Sequence, residues 1–142
     1  YSVFENKDLR NSLSAAINSN INFYCSSASP KWLNQIPNHL FEEGITLTCS
    51  GFYAPQLRSI RLAPQFDNLF SDLDSFTFDG LKVTNMEMET AGIYGLAQVL
   101  GHQAISFNAL LASRRTGEFS HQPQQTIDYL IETVLELIRS QI

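Results

Sequence analysis

Charged residues are scarce in this sequence, and those present do not cluster. Asp, Glu, Lys and Arg make up 16% of the 142 residues, and the nine basic residues stand singly or in pairs within a net charge of −5. Nucleic-acid binding needs a concentrated basic surface, so no nucleic-acid partner is expected. Long apolar runs are missing too. None approaches the ~20 residues that cross a bilayer, so no membrane partner is expected.

Metal ligands and phosphate-binding motifs are equally sparse. Cys25 and Cys49 are unclustered, and the three histidines have no ligand spacing with them or with one another. No metal site is therefore expected. The seven glycines form no phosphate-cradling cluster. Two separate thiols suit a reducing compartment, which predicts a cytoplasmic protein without a disulfide framework.

The sequence does contain many apolar residues, 44% of the chain, in helical and strand patterns. Helices are predicted at 7–18, from Pro30, at 64–76, at 86–100 with Gly101 as C-cap, and from Pro123 onward. Strands are predicted at 21–25, 44–49, 79–85 and, as an uncharged interior strand, 103–112. This alternation indicates an α/β layered domain, 1–142, with a largely parallel sheet.

In such sheets ligands bind beyond the carboxyl ends of the strands. The segments 50–58, 84–89 and 113–118 place polar residues there. These segments are therefore the candidates for a binding site.

In the stretch "VTNMEMETAGIYG" two glutamates precede an apolar helix. Thr84 and Glu87 have the spacing of a capping box, so capping is one role for Glu87. Helical steps from Glu89 reach Ile93, Leu96 and Leu100, which places Glu89 at the start of an apolar face expected to be buried. A carboxylate there could accept hydrogen bonds from a ribose diol. It could equally complement the helix dipole or pair with an arginine.

The loop "CSGFYAPQLRS" places Gln56 and Arg58 beside Phe52 and Tyr53. An amide and a guanidinium next to an aromatic ring match a planar base with carbonyl oxygens and a ring N–H. An ordinary exposed loop has the same composition. Arg114 and the adjacent Arg115 follow the long apolar run, where they are either a solvated strand end or an anion or carbonyl contact.

Taken together, "GFYAPQLR", "TNMEMETAGIYGLAQVLGH" and "LLASRRTGEF" resemble the nucleoside phosphorylase superfamily, specifically its uridine phosphorylase-like members. The resemblance runs from about residue 4 to the end and corresponds to the carboxyl-terminal half of a family subunit. It implies a three-layer phosphorylase/hydrolase-like α/β fold, here only its later part, with a mostly parallel or mixed central sheet. The family's phosphate site lies in the other half, so upstream sequence is expected.

The resemblance also implies residue roles. Ribose binding is carried over to Met88, Glu89 and Glu87, and base binding to Phe52, Gln56, Arg58, Leu111 and Arg114. Glu89 and Arg58 would be the catalytic residues, with Glu89 orienting the sugar and Arg58 offsetting charge on the leaving base. Leu57 stands where relatives often have a small or polar residue. The segment 26–43 is longer than usual and has no assigned role.

Purine-cleaving relatives typically carry a Ser-Asp pair after the apolar strand, and the Asp protonates N7 of the purine. The sequence "ASRRTGEF" has no Asp there. A leaving uracil develops charge on its carbonyls, which cations and amides stabilise directly.

The resemblance therefore implies a pentosyltransferase of nucleoside salvage, which converts uridine and phosphate to uracil and ribose 1-phosphate. It implies no cofactor beyond phosphate as co-substrate, and a homo-oligomer, dimeric or hexameric. The alternatives are a purine nucleoside phosphorylase or nucleosidase, and a non-catalytic nucleoside-binding homologue.

Overall fold

The described residues form two units, of which the first contains a small sheet. A computed structural model describes residues 5–17, 21–58, 61 and 68–140, and its contacts divide the chain into one unit up to Ile105 and one from Ser106. The first unit contains α1 (Lys7–Ala16), α2 (Pro30–Leu33), β1 (Ile45–Thr48), a 3₁₀ turn (Ala54–Gln56), α3 (Leu69–Ser75), β2 (Thr77–Phe78), β3 (Leu81–Glu87) and α4 (Thr90–Leu100). The second contains α5 (Pro123–Ser140).

Within the described ranges the sheet has three strands in the order β1–β3–β2. β1 runs parallel to β3, with Thr48 opposite Glu87. β2 and β3 form an antiparallel hairpin, whose turn residues Asp79 and Gly80 have φ values of 50° and 81°. Two positive φ values match the type I′ turn that Asp-Gly favours. The predicted α/β class is confirmed as a small mixed α/β protein.

The core of the first unit joins α1 and α3 to the sheet. Leu13 and Ile17, one helical turn apart, meet Leu69, Leu73 and Phe76 as a buried cluster. The strands extend this cluster with partly buried side chains, among them Ile45, Leu47, Phe78, Val83 and Met86. Burial of apolar side chains is the main stabilising term, about 1.5–3 kcal/mol for each large one.

Hydrogen bonds hold the start of segment 26–43 against the end of α4. Ser26 Oγ donates to Gln98 Oε1 at 3.3 Å, and Gln98 Nε2 donates to the Ser27 carbonyl at 3.1 Å. The Ser29 N–H donates to the Ala104 carbonyl at 2.9 Å. The first residues of this segment therefore have a structural role.

The cysteines are both free thiols. Cys25 is buried and Cys49 is half-buried. Burial and the nearby Glu5 carboxylate raise the pKa of the Cys25 thiol, and Arg10 opposes them.

Predictions that depend on local signals are confirmed. Helices form within 7–18, from Pro30 and from Pro123, and the strand predicted at 44–49 is β1. Gly101 ends α4 with a left-handed φ of 73°. α3 matches the carboxyl-terminal part of the helix predicted at 64–76, whereas its residues 64–67 lie outside the described residues.

Two predicted strands are wrong. Residues 21–25 and 103–111 belong to no strand, although Ala112 forms an isolated antiparallel bridge with Phe119. A strand exists only where a neighbour pairs its N–H and C=O groups. Among the described residues, the ladders join β1, β2 and β3, whereas the carbonyls of Cys25 and Ala104 accept single N–H groups from Asn6 and Ser29 outside any ladder.

In the second unit, α5 has an apolar stripe that is partly exposed. Ile131 and Leu135 are 52% and 47% exposed, whereas Ile127, Leu130 and Val134 are half-buried. Gln124 Nε2 donates to Asp128 Oδ1 at 2.8 Å, a contact one turn along the helix. Within the described ranges, helices fall short of the length and apolar character that crossing a bilayer requires.

The close approach of β1 and β3 makes Gly44 a testable position. A Cβ at Gly44 would lie 2.3 Å from Thr84 Cγ2 and 2.5 Å from Thr84 Oγ1. We expect Gly44→Ala to lower the free energy of unfolding by about 1–3 kcal/mol, because the overlap forces two paired strands apart. Urea unfolding measures the loss.

The matched test adds Thr84→Ala, which removes both of these atoms. The double variant should recover part of the stability lost in Gly44→Ala, after correction for the cost of Thr84→Ala alone. Strictly additive effects would contradict the overlap.

Candidate functional site

The parallel pairing of β1 and β3 brings two of the candidate segments to one edge of the sheet. Thr48 is the last residue of β1 and Glu87 the last residue of β3, and they lie opposite each other. The next residue, Cys49, donates its N–H to the Glu87 carbonyl at 2.8 Å. The loop 50–58 and the residues Met88 and Glu89 therefore leave the sheet side by side.

Glu87 caps the amino terminus of α4. Its Oε2 accepts the N–H groups of Glu89 and Thr90, both at 2.7 Å. Its Oε1 accepts the hydroxyl of Thr48. Amide N–H groups of the first helical turn lack partners within the helix, and the carboxylate supplies one while complementing the helix dipole.

The capping role is as predicted, but the predicted capping box is wrong. β3 continues through Glu87, and α4 begins at Thr90 rather than at residue 86. Thr84 lies within β3, where its hydroxyl donates to Asn85 Oδ1 at 3.2 Å. Glu87 therefore caps the helix from the end of the preceding strand.

The environment of Glu87 favours its ionised form. Burial opposes ionisation, but hydrogen bonds from the Thr48 side chain and from the following backbone outweigh it and lower the pKa of the Glu87 carboxyl. The carboxylate is therefore charged near neutral pH and acts only as an acceptor.

Glu89 is exposed, in contrast to Glu87. Its Oε2 accepts the Met88 N–H at 3.2 Å. Within the described residues its side chain makes no capping hydrogen bond to α4. Met88 is 42% exposed. The structure thus presents the Glu89 carboxylate to solvent beside the amino terminus of a helix.

The expected burial of the apolar face that follows Glu89 is wrong for the described chain. Ile93, Leu96 and Leu100 are 55%, 51% and 66% exposed. Their spacing correctly predicts a common face of α4, but spacing does not say what packs on that face.

In the loop after β1, the structure brings Phe52 and Arg58 together. The Arg58 guanidinium carbon lies 3.3 Å from the centroid of the Phe52 ring, a stacked cation–π contact. Tyr53 packs edge-on against Phe52 at 5.4 Å. Both rings are at least half exposed. The loop therefore offers an exposed aromatic surface next to a cation.

Gln56 does not join this surface. It lies in the 3₁₀ turn and is 4% exposed. Leu57 follows with a left-handed φ of 61°, which an L-residue adopts at a cost. The Leu57 side chain packs on the core cluster, so core contact holds the turn that separates Gln56 from Arg58.

Leu111 and Arg114 belong to the second unit. Leu111 is half-buried, and Arg114 and Arg115 are exposed. A turn holds the two arginines: the Gly117 N–H donates to the Ser113 carbonyl at 2.9 Å, and the Ser113 N–H to the Glu118 carbonyl at 2.9 Å.

Among the described residues, His, Cys, Asp and Glu form no group of three that could hold a metal ion.

Sequence reasoning overlooked Thr48, whose hydroxyl also accepts the Ala91 N–H at 2.9 Å. A polar residue ending a strand just before a candidate loop was the available signal.

The lowered pKa of Glu87 predicts a pH effect. A carboxyl with a depressed folded pKa stabilises the protein above its unfolded pKa, about 4.3, and this contribution is lost as pH falls through the folded pKa. The wild-type free energy of unfolding should therefore fall more steeply than that of Glu87→Gln between pH 6 and about 3. Urea unfolding at a series of pH values measures both slopes.

Glu43→Gln, at an exposed site, is the control for this prediction. It should keep the wild-type slope. Equal slopes for wild type and Glu87→Gln would contradict the capping carboxylate.

The left-handed Leu57 predicts an inverted order of stability. Gly usually costs about 0.5–1 kcal/mol relative to Ala, but here Leu57→Gly should be more stable than Leu57→Ala, because Ala keeps the Cβ that strains a positive φ. Both variants should be less stable than wild type in urea unfolding, since both lose the core contact. Ala15→Gly in α1 should follow the usual order. A more stable Ala variant at position 57 would contradict the assignment.

The chain matches no protein-family model, no curated protein and no solved structure. A functional assignment therefore depends on the sequence motifs and on the geometry of this sheet edge.

Proposed function

We propose that the chain provides the nucleoside-binding part of a uridine phosphorylase-type pentosyltransferase. The observation that carries the proposal is the parallel pairing of β1 and β3. It supports the proposal because it places the segments "GFYAPQLR" and "EMET", expected to bind base and ribose, at one sheet edge. Ligands of α/β sheets bind at such carboxyl edges. The proposal includes the three-layer fold, a cytoplasmic location and a homo-oligomer.

Ribose binding is assigned to the residues at the start of α4. The Glu89 carboxylate is exposed and accepts one N–H, which leaves acceptor positions for two neighbouring hydroxyls. Met88, exposed beside it, offers an apolar contact for the sugar ring. Glu87 contributes through its cap rather than by direct contact, because protein donors already occupy both of its oxygens.

Base binding is assigned to the loop after β1. Uracil would pack on the exposed ring of Phe52, while the Arg58 guanidinium donates to a carbonyl oxygen. Gln56 is buried, so a base that contacts its amide must reach past the side chains covering it.

The chemistry assigned to this site is phosphorolysis. The C1′–N bond lengthens toward an oxocarbenium-like state while phosphate approaches C1′, and the bonding electrons pass to the uracil ring. Arg58 stabilises the charge that develops on the base, and Glu89 orients the sugar. Phosphate is the co-substrate.

One experiment separates the possible functions. The protein is incubated with uridine, inosine and adenosine, with and without phosphate, and nucleoside binding is measured by calorimetry. Phosphate-dependent release of uracil is the expected result. Release of a purine base would favour a purine phosphorylase or nucleosidase, and uridine binding without turnover a non-catalytic homologue. Failure to bind any nucleoside would contradict the proposal.

Glu89→Gln tests the ribose assignment. The amide keeps the shape but loses the charge and one acceptor, so kcat/KM for uridine should fall by about 10²-fold. The free energy of unfolding should change by less than about 0.5 kcal/mol, because the side chain is exposed. Glu43→Gln, also at an exposed site, should leave both quantities unchanged. Normal uridine turnover by Glu89→Gln would refute the assignment.

A further inference from the structure

We propose that Thr48 is a positioning residue of this site, which holds Glu89 in a defined place relative to the loop 50–58. The inference rests on the proposed function for its consequence in catalysis. Its structural part, that Thr48 orders the start of α4, is independent of the substrate.

The Thr48 hydroxyl joins three elements. It belongs to the last residue of β1, it donates its proton to Glu87 Oε1 at the end of β3, and it accepts the Ala91 N–H of α4 at 2.9 Å. A hydroxyl has one proton and two lone pairs, so it can serve both partners at once. A side chain of the same shape without the hydroxyl would lose both bonds.

Glu87 passes this constraint to Glu89. With Oε1 held by Thr48, Oε2 accepts the Glu89 N–H at 2.7 Å and the Thr90 N–H at 2.7 Å. The backbone of Glu89 is therefore held by a carboxylate that Thr48 and the Thr90 side chain help to orient. Charge-assisted hydrogen bonds of this kind are roughly twice as strong as neutral ones.

Thr48 also adjoins the base loop. The next residue, Cys49, donates its N–H to the Glu87 carbonyl at 2.8 Å, and the chain continues into the loop that carries Phe52 and Arg58. The same side chain thus anchors the strand before the proposed base contacts and the carboxylate before the proposed ribose contact. Its loss should disturb the alignment of sugar and base, which is the geometry that a glycosyl transfer requires.

Thr48→Val and Thr48→Ser form the matched test. Val is isosteric and lacks the hydroxyl, whereas Ser retains it. Loss of hydrogen bonds to a charged partner should lower kcat/KM for uridine about tenfold in Thr48→Val, and Thr48→Ser should stay within about threefold of wild type. A Val variant with wild-type kinetics, in a protein that turns over uridine, would overturn the catalytic consequence.

Two readouts test the positioning without any substrate. Hydrogen exchange of the Ala91 amide should accelerate in Thr48→Val and not in Thr48→Ser, because the acceptor is lost only in Val. The pKa of Glu87, followed by carboxyl NMR, should rise in Thr48→Val, because one of the hydrogen bonds that lower it is gone. If both readouts stay at wild-type values, the positioning role is wrong.

The two proposals can fail separately. Absence of nucleoside binding and turnover in wild type would refute the proposed function, and with it the catalytic consequence of Thr48. The exchange and titration measurements would still decide the structural role of Thr48. If Thr48→Val folds poorly, the double variant Thr48→Ser/Glu87→Gln replaces it in the test. In this double variant, hydrogen exchange of the Glu89 amide should accelerate, whereas the serine hydroxyl should still protect the Ala91 amide.

Discussion

The parallel pairing of β1 with β3 is the constraint on which the polar edge of the sheet depends. It places Thr48 opposite Glu87, and this single register decides which side chains can reach each other where the strands end. Slipping the register by one residue would turn the two side chains to opposite faces, because side chains alternate along a strand. The close fit of Gly44 against Thr84 is consistent with a tightly packed start to the same pair of strands.

The two glutamates at this edge have different roles, although they are separated by a single methionine. The Glu87 carboxylate accepts hydrogen bonds from the protein, and those from a hydroxyl and two backbone amides stabilise its charge. Glu89 is exposed, and among the described residues its carboxylate accepts the Met88 N–H. An ionised carboxylate that accepts hydrogen bonds from the protein orders the backbone around it, whereas an exposed carboxylate retains acceptor positions for a ligand. For the proposed function, this difference favours Glu89 over Glu87 as the residue that would contact the ribose.

The loop after β1 contains a strained residue, Leu57, which its contact with the core holds in place. Leu57 adopts a conformation that an L-residue disfavours, and its contact with the core cluster offsets the cost. The turn separates a buried Gln56 from an Arg58 that stacks on Phe52. Stacking satisfies the flat guanidinium face while its N–H groups remain oriented for in-plane hydrogen bonds. A cation stacked beside an exposed aromatic surface suits a planar, carbonyl-bearing ligand.

The sequence by itself determined the features that depend on near neighbours. Pro30 and Pro123 at helix starts, Gly101 at a helix end and the β-branched residues of β1 act within a turn or two of the chain, and the elements predicted from them are confirmed. Helical spacing likewise predicts α4, although this helix begins at Thr90 rather than at residue 86. The polar segments at the ends of β1 and β3 were also visible as candidates.

Only the tertiary structure decided that 21–25 and 103–112 do not become strands, that β3 continues to Glu87, and that the face containing Ile93 and Leu96 is exposed in the described chain. Those outcomes depend on partners distant in sequence, since a strand needs a neighbour for its hydrogen bonds and an apolar face needs a surface to cover it. The role of Thr48 was not predicted for the same reason, because its hydroxyl contacts residues about forty positions away in the sequence.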